Sequence, residues 1–376
     1  MLTLESLPAY EGDAFWIEWG EGSIRHKMLI DMGRSTPGLN IRNRIEELPE
    51  EERTFELLIV SHVDEDHIAG VVKGLARDKR PAPQFKDIWF NGRTHLSAGD
   101  VVIPQGFVPE GAKKGELLTT WLLKSGVWNN QFGGGPVIRP DDSIAEPIIL
   151  EGGMKVWVLG PTQAHLANFI NDWDSEIKRA ERKSGFMSDQ RTIRGITNGF
   201  LAMGGSRKKP KKPKINDKQE LHALADLEFD LDHSPANKSS ISVLLEYNGT
   251  RLLMTGDQHA PDLLEAVNLM SPDVPLKVDV FKVPHHGSNS NVVPELIEKI
   301  DTSKYLVSTG GNRFYHPDAT AIARILKHTP SQDVELCFNV PSTYNEWWSD
   351  EHWKEEFEYS AQYGDPVSGL LLKFED

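Results

Sequence analysis

Short apolar runs, each closed by a glycine, proline or aspartate, recur along the chain and predict an alternation of strands and helices. Ala14-Phe-Trp-Ile-Glu-Trp19 is β-prone, Gly20-Glu-Gly-Ser23 supplies a turn, and Lys27-Met-Leu-Ile30 returns, so a hairpin ending at Asp31 is expected. A charged helix is expected over 40–53. Leu57-Leu58-Ile59-Val60 has no polar face and reads as a strand buried on both sides. Ile68, Val71, Val72 and Leu75 then carry the i, i+3, i+4, i+7 spacing of a helix packed on that strand. Further strands are expected at 87–91 and 155–159, helices at 116–124 and 164–182, and a loop at Gly133-Gly-Gly-Pro136.

From Ser240 the alternation is clearer. Ile241–Glu246 and Arg251–Met254 flank Asn248-Gly249, the preferred two-residue hairpin turn. A helix with Leu263, Leu264 and Val267 on one side follows, then strands at 278–283 and 305–308. Pro317 is expected to open a helix containing Ile322, Ile325 and Leu326. Strands at 335–339 and 369–374 flank a tryptophan-rich stretch, 344–359, which reads either as local core or as a partner surface. No internal repeat is visible.

Composition narrows the class. With 376 residues, 39% hydrophobic and 26% charged, the chain has a globular composition and room for one large domain or two ordinary ones, and a single domain is expected. Residues 162–236 change character and read as an insertion into that domain, because strand-like sequence resumes at Ile241. Within it, Arg207-Lys-Lys-Pro-Lys-Lys-Pro-Lys214 cannot build a core and is expected to be solvated and mobile. A net charge of −15 argues against binding nucleic acid over the whole surface but leaves this run as a local track. Lys208, Lys209, Lys211 and Lys212 are therefore candidate nucleic-acid contacts, the alternative being a linker that balances the acidic stretch 217–232. No apolar run reaches the roughly 20 residues of a membrane span. The first residues show neither a basic leader nor a long apolar segment, so a cytoplasmic protein is expected. The single cysteine, Cys337, excludes an intrachain disulfide or a thiolate zinc cluster and reads as a strand residue.

The chemistry concentrates at predicted strand ends. His62, Asp64, Asp66 and His67 fall in six residues between the 57–60 strand and its helix. Capping that helix would need one Asp or Ser, not two His and two Asp. Asp31, Asp257, His285-His286 and His316 also follow strands, which suggests one shared metal-lined edge. Imidazole and carboxylate without thiolate suit zinc, manganese or iron. Asp257, alone after a buried strand, suits a carboxylate bridging two divalent ions, which together would hold a hydroxide at neutral pH.

Ser61-His-Val-Asp-Glu-Asp-His67, Thr255-Gly-Asp257, Pro284-His-His-Gly-Ser288 and His316-Pro317 together resemble the metallo-β-lactamase-fold superfamily. They are most similar to the hydrolase domain of ComEC-type DNA-uptake proteins. Gly12-Asp13-Ala14, Asp31-Met-Gly33 and Asn237-Lys-Ser-Ser-Ile-Ser-Val-Leu-Leu245 fit the same pattern. The resemblance runs from about residue 10 to the C-terminus and implies an α/β four-layer αββα sandwich with two divalent metal ions at one edge. One ion would take His62, Asp64 and Asp257, and the other Asp66, His67, Asp257 and either His285 or His286. Asp66, Ser288 and His316 would be the catalytic groups, and Ser288, Asn289 and Lys282 would contact substrate.

Two departures bear on the expected chemistry. Asp64 stands where the superfamily usually has a second histidine, and this oxygen ligand favours manganese or magnesium over zinc. The strand that often supplies another histidine ends Leu159-Gly160-Pro161, so the second ion is expected to bind weakly or only with substrate. His165 and His233 are nearby but read as surface or helix residues. The resemblance implies a metal-dependent phosphodiesterase, with a DNA nuclease as the leading reading. A lactonase- or thioesterase-like acyl hydrolase, or a non-catalytic or partner-activated subunit of a larger system, are the alternatives. A protein partner or homo-oligomer is compatible with each.

Overall fold

A computed structural model describes residues 1–96, 110–184 and 209–374. Its strands, in chain order, are β1 (Leu2–Ser6), β2 (Phe15–Trp19), β3 (His26–Ile30), β4 (Thr54–Ile59) and β5 (Gln84–Trp89). After these come β6 (Ile148–Ile149), β7 (Lys155–Gly160), β8 (Ser242–Tyr247), β9 (Thr250–Met254), β10 (Leu276–Lys277) and β11 (Val280–Lys282). The last are β12 (Ile300–Asp301), β13 (Lys304–Val307), β14 (Val334–Phe338), β15 (Tyr359–Tyr363) and β16 (Leu370–Phe374). Two sheets carry the fold, ordered β16-β1-β2-β3-β4-β5 and β15-β14-β13-β11-β9-β8-β7-β6. Each begins antiparallel and turns parallel: β3, β4 and β5 run together, as do β9, β11, β13, β14 and β15.

Strand alternation builds the layers. In β4, Leu57 and Ile59 face the second sheet, while Leu58 faces helices on the other side. Met28 and Ile30 against Leu29, and Val243 and Leu245 against Leu244, divide the same way. The core between the sheets is thus lined by both of them. Helices Ser35–Glu47, Glu65–Val71, Glu110–Ser125 and Gln163–Ser184 cover the outside of the first sheet. Helices Lys218–Ala225, Ala260–Met270, Pro294–Glu298 and Ala319–His328 cover the second. This is the expected four-layer αββα sandwich. A strand segment buried on both faces must be apolar, and that is why residues 57–60 show no polar face in the sequence.

Several boundaries differ from the sequence expectation. The helix expected over 40–53 instead spans Ser35–Glu47, because Leu48 precedes Pro49 and adopts an extended backbone with ψ 151°. The helix after His316 starts at Ala319 rather than at Pro317. Asp318 takes its N-cap position, tied by its backbone N–H to Gly287 O and by its carboxylate to the Asn289 N–H.

The described part of the basic run is not wholly free. Lys209, Lys211, Lys212 and Lys214 are exposed, but Lys212 pairs with Asp350 at 2.8 Å and lies over the Trp353 ring. Trp353 in turn donates to Ile215 O. Lys208 falls outside the described residues. Trp348 and Trp353 are buried in the helical layer of the second sheet, and so is Ile215. Cys337 lies buried in β14. Among the described residues, no helix is long and apolar enough to cross a membrane.

Candidate metal centre

The parallel strands β3, β4, β9 and β11 all end at one edge of the sandwich, with the side chains that follow them facing each other. Asp257, in the turn that follows β9, occupies the middle. Its Oδ2 lies 3.4 Å from His67 Nε2, 3.4 Å from His286 Nε2, 3.8 Å from His285 Nε2 and 3.9 Å from His62 Nε2. Asp66 Oδ2 lies 3.7 Å from His286 Nε2, and Asp64 Oδ2 lies 3.8 Å from His62 Nε2. Asp64 holds the N-cap position of the Glu65–Val71 helix, yet its side chain caps no backbone N–H. It turns to the site instead, which removes helix capping as the reason for this carboxylate.

Among the described residues, potential ligand atoms converge in four overlapping groups; two of these, His62–His67–Asp257 and Asp66–His67–His286, contain the expected ligands. The grouping differs from the expected division in one respect. His67 reaches both sets rather than one. Of the two histidines left open, His286 stands with Asp66 and His67, while His285 Nε2 faces Asp257. Consecutive left-handed backbones, φ 46° at His285 and 56° at His286, splay the two rings. Such conformations cost on the order of 1–3 kcal/mol each and persist where the surroundings impose them.

The residues fit divalent cations on an argument of lone pairs. His286 Nδ1 lies 2.9 Å from the Ser308 carbonyl, which can only accept, so Nδ1 carries the hydrogen. His67 Nδ1 likewise donates to Asp31 at 2.8 Å, because Ser61 spends its hydroxyl and amide hydrogens on the same carboxylate. Both Nε2 lone pairs then point at each other across 3.3 Å. A proton or a cation must lie between them. His62 Nε2, Asp64 Oδ1 and Asp257 Oδ1 are buried with no hydrogen-bond partner, a further set of donors awaiting an acceptor of electron density.

Charge perturbations follow the same logic. Burial opposes a charge on His286, but Asp257 and Asp13 outweigh it and push the ring up to about 10. Burial likewise opposes the raised value of His67, which Asp257 and Asp31 hold well above the usual imidazole range. Burial, then the charges of Asp66 and Asp257, push Asp64 up to about 7. His62, buried and beside His67, falls to about 3. Protons thus neutralise carboxylates that a metal would otherwise balance.

The expected substrate contacts separate. Ser288 and His316 are buried beside the centre, with the His316 ring 5.6 Å from that of His285 and its Nδ1 3.5 Å from Asp318. Asn289 is held at the rim, its Oδ1 accepting from Thr320. Lys282, also an expected contact, is fully buried, with Nζ 2.6 Å from Asp13, 3.8 Å from Asp257 Oδ1 and donating to Gly256 O. Its chain comes up from β11 inside the sheet, and the Asp13 carboxylate neutralises it there. Asp31 is a supporting residue too, behind His67.

Three residues with no assigned role in the sequence reading complete the surroundings. Asp13 lies 3.3 Å from His286 Nδ1 as well as pairing with Lys282. Gln258 is fully buried and fills the space at the end of β7, where a β-carbon on Gly160 would stand 2.0 Å from its Nε2. The missing histidine there is therefore a repacked position. Asp232 lies 3.2 Å from His285 Nδ1. None of the three carries a local spacing signal, since each acts through residues distant in the chain. His165 is buried in the first turn of its helix, 3.5 Å from Asp262, and His233 is exposed.

Comparisons with known proteins agree in part. No family model matches the chain. It is 29% identical over 113 residues to ComE operon protein 3 of Bacillus subtilis (strain 168), a match covering 28% of this chain and 14% of that protein. The chain thus corresponds to a small fraction of that relative's length. A structural comparison pairs 99% of the chain with 98% of the metallo-β-lactamase fold protein YhfI from Bacillus subtilis, at 9% identity and a TM-score of 0.41. The motif set and the αββα layers resemble the metallo-β-lactamase-fold superfamily, and the buried His/Asp groups fit divalent metal binding.

Proposed function

We propose that the protein is a metal-dependent phosphodiesterase whose substrate is nucleic acid, DNA foremost. One observation carries the metal-dependent hydrolase: a single buried carboxylate oxygen, Asp257 Oδ2, faces four imidazole nitrogens within 3.9 Å. Divalent ions bound there would supply Lewis-acid stabilisation of a transferring phosphoryl group and a nucleophile ionised near neutral pH. The chain's own part is to orient and to hold charge. Asp31 and Ser308 fix the rings of His67 and His286 so that both Nε2 atoms face inward. His316, buried beside His285, is placed to hold a proton for the leaving oxygen.

The choice of phosphodiester over acyl bond is supported by the oxygen donors. Asp64, Asp66 and Asp257 all face the centre, and hard oxygen ligands suit manganese or magnesium, the ions that commonly accompany phosphate chemistry. Hydrolysis of bis(p-nitrophenyl) phosphate with manganese, beside a lactone and thioester panel with zinc, tests the choice. Turnover of the phosphodiester alone is expected. Turnover of only the acyl substrates would replace this reading with an acyl hydrolase.

A further inference from the structure

Three of the four imidazoles that face Asp257 have a carboxylate at their back. For His67 that carboxylate is Asp31, and for His286 it is Asp13, both beside strands of the first sheet. His285 obtains its partner from elsewhere. Asp232 lies on irregular chain between helix Lys218–Ala225 and the short helix Pro235–Lys238.

The Asp232 carboxylate is itself tightly held. Oδ2 accepts from Asn237 Nδ2 at 2.7 Å and Asn291 Nδ2 at 3.1 Å, and lies 3.2 Å from His285 Nδ1. Oδ1 accepts from the Ser234 N–H at 2.8 Å and lies 3.5 Å from His259 Nε2. Its own N–H donates to Ser290 O. Asn291 also places its Oδ1 2.9 Å from His285 Nδ1. An amide offers an oxygen on one side only, and the 3.1 Å contact of Nδ2 to Asp232, shorter than its 3.4 Å approaches to Asp257 O and Gln258 O, helps to turn the Asn291 oxygen towards the histidine. One carboxylate therefore sets both acceptors facing the ring, on a residue whose left-handed backbone needs holding.

We propose that Asp232 is a positioning residue for the metal centre: it fixes the ring of His285 with Nε2 towards Asp257, so that the acidic chain before residue 234 completes the site. The inference rests on reading the cluster as a metal centre and not on which bond is cleaved. The adjoining group of His165, His259 and Asp262 has a different character. Lys238 Nζ stands 3.3 Å from Asp262 Oδ2 and already supplies the cation there.

Asp262 thus provides a matched control, since it is about as exposed as Asp232 (13% against 10% of the side chain) and pairs with none of the imidazoles around Asp257. Manganese affinity of the full chain would be measured by calorimetry for wild type, Asp232→Asn, Asp232→Ala and Asp262→Asn. Thermal unfolding of the metal-free proteins would be followed alongside, as would the visible absorption of cobalt-loaded samples. Loss of such an outer partner typically weakens metal binding about 10–100-fold. That loss, with an altered cobalt spectrum, is expected for both Asp232 variants, and affinity within about twofold of wild type for Asp262→Asn. Unchanged affinity in Asp232→Asn, or an equal loss in Asp262→Asn with equal unfolding midpoints, would overturn the inference. A loss confined to the Asp232 variants supports it even where wild type cleaves no phosphodiester, the outcome that would sink the preceding reading alone.

Discussion

Lys282 and Asp13 form a buried ion pair at the border of the site, with Lys282 Nζ also 3.8 Å from Asp257 Oδ1. Both side chains are almost wholly enclosed, and their 2.6 Å contact is the main compensation for desolvating two ions. Removing one partner of such a pair typically costs about 3–5 kcal/mol, because the other is left charged and unpaired. Lys282→Ala is therefore expected to lower the urea unfolding free energy of the metal-free protein by about that amount. A loss under about 1 kcal/mol would mean that the pair is solvated and that Lys282 is free to meet substrate. The histidines give a second prediction. His286 titrates near 6.5 when unperturbed and near 10 here, with burial opposing the shift and Asp257 and Asp13 driving it. A folded-state value above the unfolded one stabilises fully below pH 6.5 and is lost as pH rises towards 10. Metal competes for the same nitrogen and gains as the proton leaves. The rise in Tm on adding manganese should thus be larger at pH 9 than at pH 6.5. A rise that shrinks with pH would contradict the assignment of His286 to the centre.

At the scale of elements, the readable features were those encoded within a few residues. The 57–60 strand was legible because its neighbours on both faces are apolar, and the 62–67 ligands because they crowd one strand-to-helix loop. Residues 241–254 were legible through Asn248-Gly249, which the structure confirms as the turn between β8 and β9. What stayed hidden depended on chain partners far away. Nothing near Lys282 announces Asp13, nothing near His285 announces Asp232, and no periodicity says that Gln258 will occupy the end of β7. The helix boundary at Glu47 was misplaced although Pro49 stood in the sequence, since the charged run continued past it. The tryptophan-rich stretch left two readings open, and packing favours core for two of its members. Trp348 stacks among Trp353 and Tyr359 with no exposed surface. Trp348→Ala should cost about 3–5 kcal/mol in chemical unfolding, whereas a surface aromatic kept for a partner would cost far less.

The whole molecule joins two sheets whose parallel strands deliver donors to one edge from both halves of the chain. His62, Asp64, Asp66 and His67 come from the first sheet's side, and Asp257, His285, His286 and His316 from the second's. Neither set is a centre alone, so metal binding should depend on the sheets remaining packed against each other. A chain of net charge −15 has no general attraction for a polyanion, and a nucleic acid would have to be held by the centre and by local cations. The decisive measurement is cleavage of supercoiled, linear and single-stranded DNA with manganese, magnesium or zinc, run beside Asp64→Ala and Asp257→Ala. Cleavage by wild type that needs added metal and disappears in both variants is the predicted result. Intact DNA in every lane, with metal shown to be bound, would contradict the assignment of DNA as substrate.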